Sequence, residues 1–135
     1  MIKAVLFDLD NTLLDFMKMK QNAVSAALDS MIFSGLDIKK EIAEKKIYKI
    51  YDEYGYEYQE VFDLFLKEEI GEVNFKILAK GIISYKKAKE DSLSLYKNVS
   101  STLVSLTKLG LKIGVISDAP SREAWIRICS VNLEN

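Results

Sequence analysis

The chain has 135 residues, of which 49% are hydrophobic and 29% charged, a composition typical of a soluble globular protein of ordinary domain size. Nineteen basic and twenty acidic residues leave a formal net charge of -1, so charge gives no reason to expect nucleic acid or a membrane surface as a partner. The sequence has no histidine and one cysteine, which excludes Ser-His-Asp and Cys-His catalysis and internal disulfides and argues against a zinc site. Catalysis must then come from carboxylates, hydroxyls, lysines or a hard metal ion, and we expect a cytoplasmic location.

The first predicted element is a strand at the N-terminus. Residues 2–7 form an apolar run that only Lys3 interrupts, and Asp8 ends it. A short run with Val and Ile that stops at turn-forming residues is typical of a strand buried on both faces. The Asp-Asn-Thr sequence at residues 10–12 then supplies the turn.

A long helical segment follows, from about residue 16 to residue 96. Apolar residues recur there at helical spacing in four stretches, with Gly35, Gly55 and Gly71 after the first three. The first stretch illustrates the pattern, because its apolar face consists of Val24, Ala27, Leu28 and Met31. No apolar run approaches the ~18 residues of a membrane span. The sequence therefore predicts a unit of four helices.

The character of the sequence changes again near residue 95. Apolar spacing predicts an amphipathic helix over 100–109, with Ser100 or Ser101 as its N-terminal cap and Gly110 as its terminator. This helix directly precedes another apolar run, an arrangement that reads as half of an α/β unit.

The second predicted strand covers residues 111–116 and stops at Ser117. A last helix follows, begun at Ser121, and we expect Trp125 to belong to the core. The predicted order is strand, four-helix insert, helix, strand and helix, which indicates an α/β fold. The insert would project from the C-terminal end of the first strand, where ligands bind in open α/β sheets.

Two carboxylates lie where the first strand ends. Side chains two residues apart on an extended segment point the same way, so Asp8 and Asp10 are expected to reach one crevice while Leu9 points to the other side. Two carboxylates held close repel each other, and a hard cation such as Mg²⁺ relieves that repulsion. Mg²⁺ usually takes one or two protein carboxylates and fills its other positions with water or phosphate oxygens, so a phosphorylated substrate is the natural third party.

Residues 5–13, VLFDLDNTL, resemble the first motif of the haloacid dehalogenase (HAD) superfamily. The resemblance implies that Asp8 is the nucleophile that forms a phosphoaspartate and that Asp10 is the acid/base. It also implies a Mg²⁺ site built from the Asp8 carboxylate and the Asp10 backbone carbonyl. Within the superfamily, a carboxylate at the position of Asp10 favours a phosphatase over a dehalogenase.

Residues 112–118, KIGVISD, resemble the second motif of the same superfamily. The resemblance implies that the Ser117 hydroxyl binds the transferring phosphoryl group and that the backbone around Asp118 adds an N–H donor. The helical insert between the two motifs resembles the helical cap that closes over the site in this family. The implied substrate is a small phosphorylated metabolite.

The implied fold is a HAD-like Rossmannoid α/β core formed by residues 1–15 and 95–135, with a four-helix cap domain at 16–94. The family sheet has five or more parallel strands, whereas this sequence supplies two. We therefore expect a bare apolar edge and uncovered faces on the first strand.

Complete members of the family also have a third motif with a Lys and a fourth with acidic residues, both downstream of the second motif. The residues after Ser117 contain no Lys, and their lone Asp is Asp118. We expect a truncated, N-terminal portion of such a phosphatase with little or no activity alone, unless a second chain from a split gene complements it. The alternative is a non-catalytic fragment or a helical interaction module.

Overall fold

The computed structural model describes every residue from Met1 to Asn135 and contains two strands and six helices. In chain order the elements are β1 (Ala4–Asp8), α1 (Phe16–Phe33), α2 (Lys40–Tyr54), α3 (Val61–Ile70), α4 (Phe75–Ser92), α5 (Val99–Lys108), β2 (Lys112–Ile116) and α6 (Ser121–Ser130). This order confirms the α/β prediction, including the four helices between the first strand and the helix before β2. No helix combines the length and the apolar character needed to cross a membrane.

The chain divides into two compact units, and the division falls within α1. Lys20–Ser92 make up the helical unit, and Met1–Met19 together with Leu93–Asn135 make up the α/β unit. Each unit has its own cluster of buried apolar side chains. The α/β unit contains both predicted motifs.

The helical unit is built around one apolar core to which all four of its helices contribute. Glycines with positive φ follow α1, α2 and α3, as the sequence predicted, and Gly71 ends α3 in the left-handed region, where its N–H bonds to the carbonyl of Lys67. Asn74 begins α4, because its Oδ1 accepts the N–H groups of Lys76 and Ile77. The buried residues of this core are Val24, Ala27, Leu28, Met31, Leu36, Ala43, Ile47, Ile50, Tyr51, Val61, Phe62, Phe65, Leu66, Ile77 and Leu78.

The α/β unit contains a two-stranded parallel sheet. Leu6 pairs with Gly114 and Asp8 with Ile116, so these four side-chain positions share one face of the sheet. Leu6 lies so close over Gly114 that a Cβ at residue 114 would come within 2.7 Å of the Leu6 Cδ2 atom. Because Gly114 has no side chain, the Leu6 side chain can lie over it on that face of the sheet.

The prediction from the apolar run that the first strand is buried on both faces is wrong, whereas the expectation of uncovered faces is met on one side of the sheet. Leu6 is 63% exposed and Ile116 is 61% exposed on the face that they share. The reason is that α5 and α6 both lie on the opposite face, the face to which Ile113 and Val115 of β2 point. One face is covered in part and the other is open to solvent.

Two local predictions in this unit are also wrong. Helix α5 begins at Val99, one residue after Asn98, which adopts φ 69° and makes no side-chain capping bond. Neither Ser100 nor Ser101 precedes the helix, and Ser101 instead donates its hydroxyl to the Asn98 carbonyl at 3.0 Å. Trp125 is 57% exposed rather than part of the core, because the groove between α5 and α6 that it lines is open.

Candidate active site

The loop that carries the two aspartates is held by its apolar residues. Leu9 is fully buried, and its carbonyl accepts the N–H groups of Leu13 at 2.9 Å and Leu14 at 3.1 Å. Asn11 adopts φ 60°, a left-handed conformation that asparagine tolerates better than most residues. The leucines form a buried cluster with Ala124 of α6, so they fix the path of the polar residues between them.

A second set of bonds ties the end of this loop to the segment before α5. The N–H of Asp15 donates to the carbonyl of Ser94, and the N–H of Tyr96 donates to the carbonyl of Leu13, each at 3.0 Å. Partial desolvation, and then the neighbouring Asp15 carboxylate, raise the pKa of the Tyr96 phenol. The loop is therefore fixed at both ends, which gives its side chains defined positions.

Asp8 lies at the carboxyl end of β1 and is exposed to solvent. The hydroxyl of Thr12 donates to its Oδ2 atom across a distance of 3.2 Å. A neutral donor of this kind orients a carboxylate without cancelling its charge. Asp8 is thus an oriented and accessible carboxyl group at the end of a strand.

Asp10 has a different environment. Its Oδ2 atom accepts a hydrogen bond from Nη1 of Arg127 at 2.7 Å, and the Asp10 side chain is 22% exposed. Arg127 is 1% exposed, and its guanidinium carbon lies 4.7 Å from the centre of the Phe16 ring. The second carboxylate is therefore held by a buried cation from α6.

The second predicted motif follows directly on the neighbouring strand. Because Asp8 pairs with Ile116, Ser117 comes just after the carboxyl end of β2, at the same edge of the sheet. The Ser117 Oγ atom accepts the N–H of Ala119 at 3.1 Å, which leaves its own O–H available as a donor. Asp118 is exposed. The topology thus brings the ends of both motifs to one edge.

Two residues with contacts to the aspartates carried no role in the sequence interpretation. Thr12 stood within the quoted motif, but only the structure shows that its hydroxyl bonds to Asp8. Arg127 lies three residues after the buried Ala124 on α6, so it is a charged residue on the inward face of a helix. That position was the available signal, since fully buried arginines are rare without a partner.

A divalent cation at this site would have to take most of its ligands from solvent or substrate. No group of three or more His, Cys, Asp or Glu side chains is arranged to hold a metal ion. Mg²⁺ needs only one or two protein carboxylates when water and phosphate oxygens complete its shell. The exposed Asp8 carboxylate meets that requirement, whereas the Asp10 carboxylate is paired with Arg127.

A separate groove of about 1100 Å³ lies between α5, β2 and α6. Ser117 reaches its rim, but neither Asp8 nor Asp10 lines it. Most of its walls are apolar, including Leu103 and Ile128. The groove therefore shares Ser117 with the candidate site and contains neither aspartate.

Comparisons with known proteins place this geometry in a family. The haloacid dehalogenase-like hydrolase profile matches residues 2–134, and the chain belongs to that family. A glyceraldehyde 3-phosphate phosphatase of Methanocaldococcus jannaschii is 36% identical over 133 residues, which cover 98% of this chain and 58% of that protein. The chain thus spans little more than half the length of this relative.

Solved structures support the fold. A Thermotoga maritima protein described as a β-phosphoglucomutase superposes with a TM-score of 0.71 at 19% identity, covering 98% of this chain and 57% of its own. A HAD-hydrolase from Bacillus subtilis, solved bound to magnesium, superposes with a TM-score of 0.57 at 17% identity, covering 98% and 61%. At these identities the likeness concerns the fold alone, and it confirms the HAD-like α/β architecture.

Proposed function

We propose that this chain carries the nucleophile and the acid/base of a phosphatase that acts on a small phosphorylated metabolite. The main support for this proposal is the position of Asp8. It is exposed, it accepts a hydrogen bond from Thr12, and it lies at the carboxyl end of β1 beside the end of β2. The 36% identity to a protein named glyceraldehyde 3-phosphate phosphatase supports this chemistry over dehalogenation.

In the proposed reaction an Asp8 oxygen attacks phosphorus and the bond from phosphorus to the leaving oxygen breaks, so a phosphoaspartate forms. Asp10 gives a proton to the leaving oxygen and then takes one from the water that hydrolyses the phosphoaspartate. The Ser117 hydroxyl and the backbone around Asp118 bind the phosphoryl oxygens. A Mg²⁺ ion held by the Asp8 carboxylate and the Asp10 main-chain carbonyl would neutralise charge on the phosphoryl group.

We propose the helical unit as the cap that selects the substrate. The relative's name makes glyceraldehyde 3-phosphate the first substrate to test. The unit's closed apolar core supports this role, because a cap has to keep its shape while it covers and uncovers a site. Cytoplasmic location remains a prediction from the single cysteine, and the absence of nucleic acid and membrane partners remains one from the balanced charge.

We also infer that the 135-residue chain has little or no activity by itself. The residues after Ser117 contain no Lys to steady the phosphoryl charge, and the metal site has a single free carboxylate side chain, that of Asp8. A Lys and further acidic groups from outside these 135 residues would have to complete the site. The open sheet face, with Leu6 and Ile116 exposed, gives a polypeptide that supplies them an apolar surface on which to pack.

The test measures hydrolysis of glyceraldehyde 3-phosphate and of p-nitrophenyl phosphate in the presence of Mg²⁺. The chain is assayed alone and with a second polypeptide that covers the part of the Methanocaldococcus relative that this chain does not match. We expect activity only in the mixture, and Asp8→Asn should abolish it. Robust Asp8-dependent hydrolysis by the chain alone contradicts the inferred inactivity. A stable complex that hydrolyses neither ester contradicts the phosphatase proposal.

The second candidate function is a helical interaction module without catalysis. The observation that favours it is the apolar core of the helical unit, which is formed by residues of that unit alone. Circular dichroism and sedimentation of the chain separate the cases. A cooperative, monomeric, folded protein that never gains hydrolytic activity supports the module, whereas a chain that aggregates until its complement is added supports the phosphatase.

A further inference from the structure

The ion pair between Asp10 and Arg127 joins the aspartate loop to a helix far along the chain. Nη1 of Arg127 lies 2.7 Å from Oδ2 of Asp10, and Arg127 is 1% exposed. The ring of Phe16 packs 4.7 Å from the guanidinium carbon and holds it from a second side. Burial and these two contacts hold the guanidinium beside the Asp10 carboxylate.

The two aspartates therefore differ in what they offer a cation. Asp8 is exposed and has the neutral hydroxyl of Thr12 as its partner. Asp10 has a full positive charge at hydrogen-bond distance. A divalent cation that contacted the Asp10 carboxylate would have to approach Arg127 closely or displace it, and both are costly at a buried position.

We propose that Arg127 is a positioning residue that withholds the Asp10 carboxylate from the metal ion. The cation then contacts Asp10 only through its main-chain carbonyl. This inference rests on the proposed Mg²⁺ site at Asp8. Without Arg127, we expect the Asp10 carboxylate to become a second ligand of the cation.

The first experiment measures the intact wild-type chain, and variants serve only to assign its resonances. Aspartate is labelled with ¹³C at the side-chain carboxyl, and Asp8→Asn and Asp10→Asn assign the two resonances. During a Mg²⁺ titration we expect the Asp8 carboxyl resonance to move and the Asp10 carboxyl resonance to stay in place. An Asp10 resonance that moves together with that of Asp8 overturns the inference.

The second experiment removes the cation. Arg127→Gln should bind Mn²⁺ about tenfold more tightly by electron paramagnetic resonance, because a second carboxylate becomes a ligand. The gain should disappear in the Arg127→Gln/Asp10→Asn double variant, and Arg127→Lys should restore wild-type affinity. Arg122→Gln is the matched control, since Arg122 is on the same helix with its side chain 84% exposed.

The outcomes separate the inference from the proposed function. If Asp8→Asn leaves Mn²⁺ binding unchanged, the proposed metal site fails, and the Arg127 variants still report whether Asp10 gains a cation. If Arg127→Gln tightens binding equally with and without the Asp10 carboxylate, the guanidinium acts only through its field and the inference is overturned. If Arg127→Gln does not tighten binding, the inference is overturned whatever the role of Asp8.

Discussion

The helical unit and the α/β unit differ in how completely they bury their apolar residues. Fifteen buried residues, fourteen from the four helices and Leu36 from the segment after α1, form the core cluster of the first unit. The corresponding cluster of the second has four, Leu9, Leu13, Leu14 and Ala124, while Leu6 and Ile116 are exposed on its sheet. Every candidate catalytic residue lies in the α/β unit. The part of the chain with the chemistry is therefore the part with less internal support.

The difference follows from the kind of element each unit contains. An amphipathic helix needs to bury only one stripe, and four short-linked helices can do this among themselves. A parallel strand presents apolar side chains on both faces and hydrogen-bonding groups on both edges, so it needs neighbours on several sides. With two strands and both flanking helices on one face, the α/β unit leaves such positions open.

The difference between the two units can be tested first in the helical core, where a substitution is expected to reduce stability most. Phe65 is fully buried, so Phe65→Ala should lower the free energy of unfolding by about 3–5 kcal/mol, from lost apolar contact and the cavity left behind. Phe33→Ala is the control, because Phe33 is 95% exposed and its loss should cost less than about 0.5 kcal/mol. Urea unfolding monitored by circular dichroism measures both. Equal effects would mean that this core does not support the helical unit.

A smaller effect is expected on the open face of the sheet. Ile116 is 61% exposed, so Ile116→Thr should leave the unfolding free energy of the chain nearly unchanged. It should weaken self-association, or binding to a complementing polypeptide, by about 1 kcal/mol, because less apolar area is removed from water. Sedimentation velocity over a range of concentrations measures this. A variant that is strongly destabilised but associates normally would show that the face is covered within the chain.

Local periodicity predicted the element order because the spacing of apolar residues within a helix or strand depends on that element alone. The glycine stops and the apolar stripe of α1 depend on neighbours within a few residues, and the structure has them where the sequence indicated. The exposure of Trp125 could not be predicted from pattern alone, since it depends on which side of the sheet α5 and α6 cover. The exposure of Leu6 agrees with the uncovered faces expected for a strand in so small a sheet.

The candidate site shows the same limit. Residues 8–12 could be predicted as a site because their carboxylates are close together in the sequence and directly follow a predicted strand. The Arg127 contact joins residues 117 positions apart, and no local spacing encodes such a pair. The sequence could indicate only that a charged residue lies on the same face of α6 as Ala124. Its partner had to come from the tertiary structure.

Tyr48 offers a pH test of how well the helical core excludes water. Desolvation, and then the nearby Glu44 carboxylate, raise the pKa of Tyr48 from 10.0 to about 12. Because the folded-state pKa lies above the unfolded one, this group's contribution to stability is complete below pH 10.0 and is lost as the pH rises towards 12. Tyrosinate absorbance should show a late ionisation step that Tyr48→Phe removes. Ionisation of Tyr48 near pH 10.0 would show that water reaches it freely.

The smallest effect is expected at the surface of the helical unit. Nζ of Lys40 lies 2.7 Å from Oδ1 of Asp29, with the two side chains 31% and 62% exposed. Solvent screens such a pair, so Asp29→Asn should lower the unfolding free energy by about 0.2–1 kcal/mol. A double-mutant cycle with Lys40→Gln isolates the pair, and its coupling should shrink further at high salt. A coupling as large as the effect of Phe65→Ala would mean that surface charge, rather than the apolar core, makes this unit the better supported of the two.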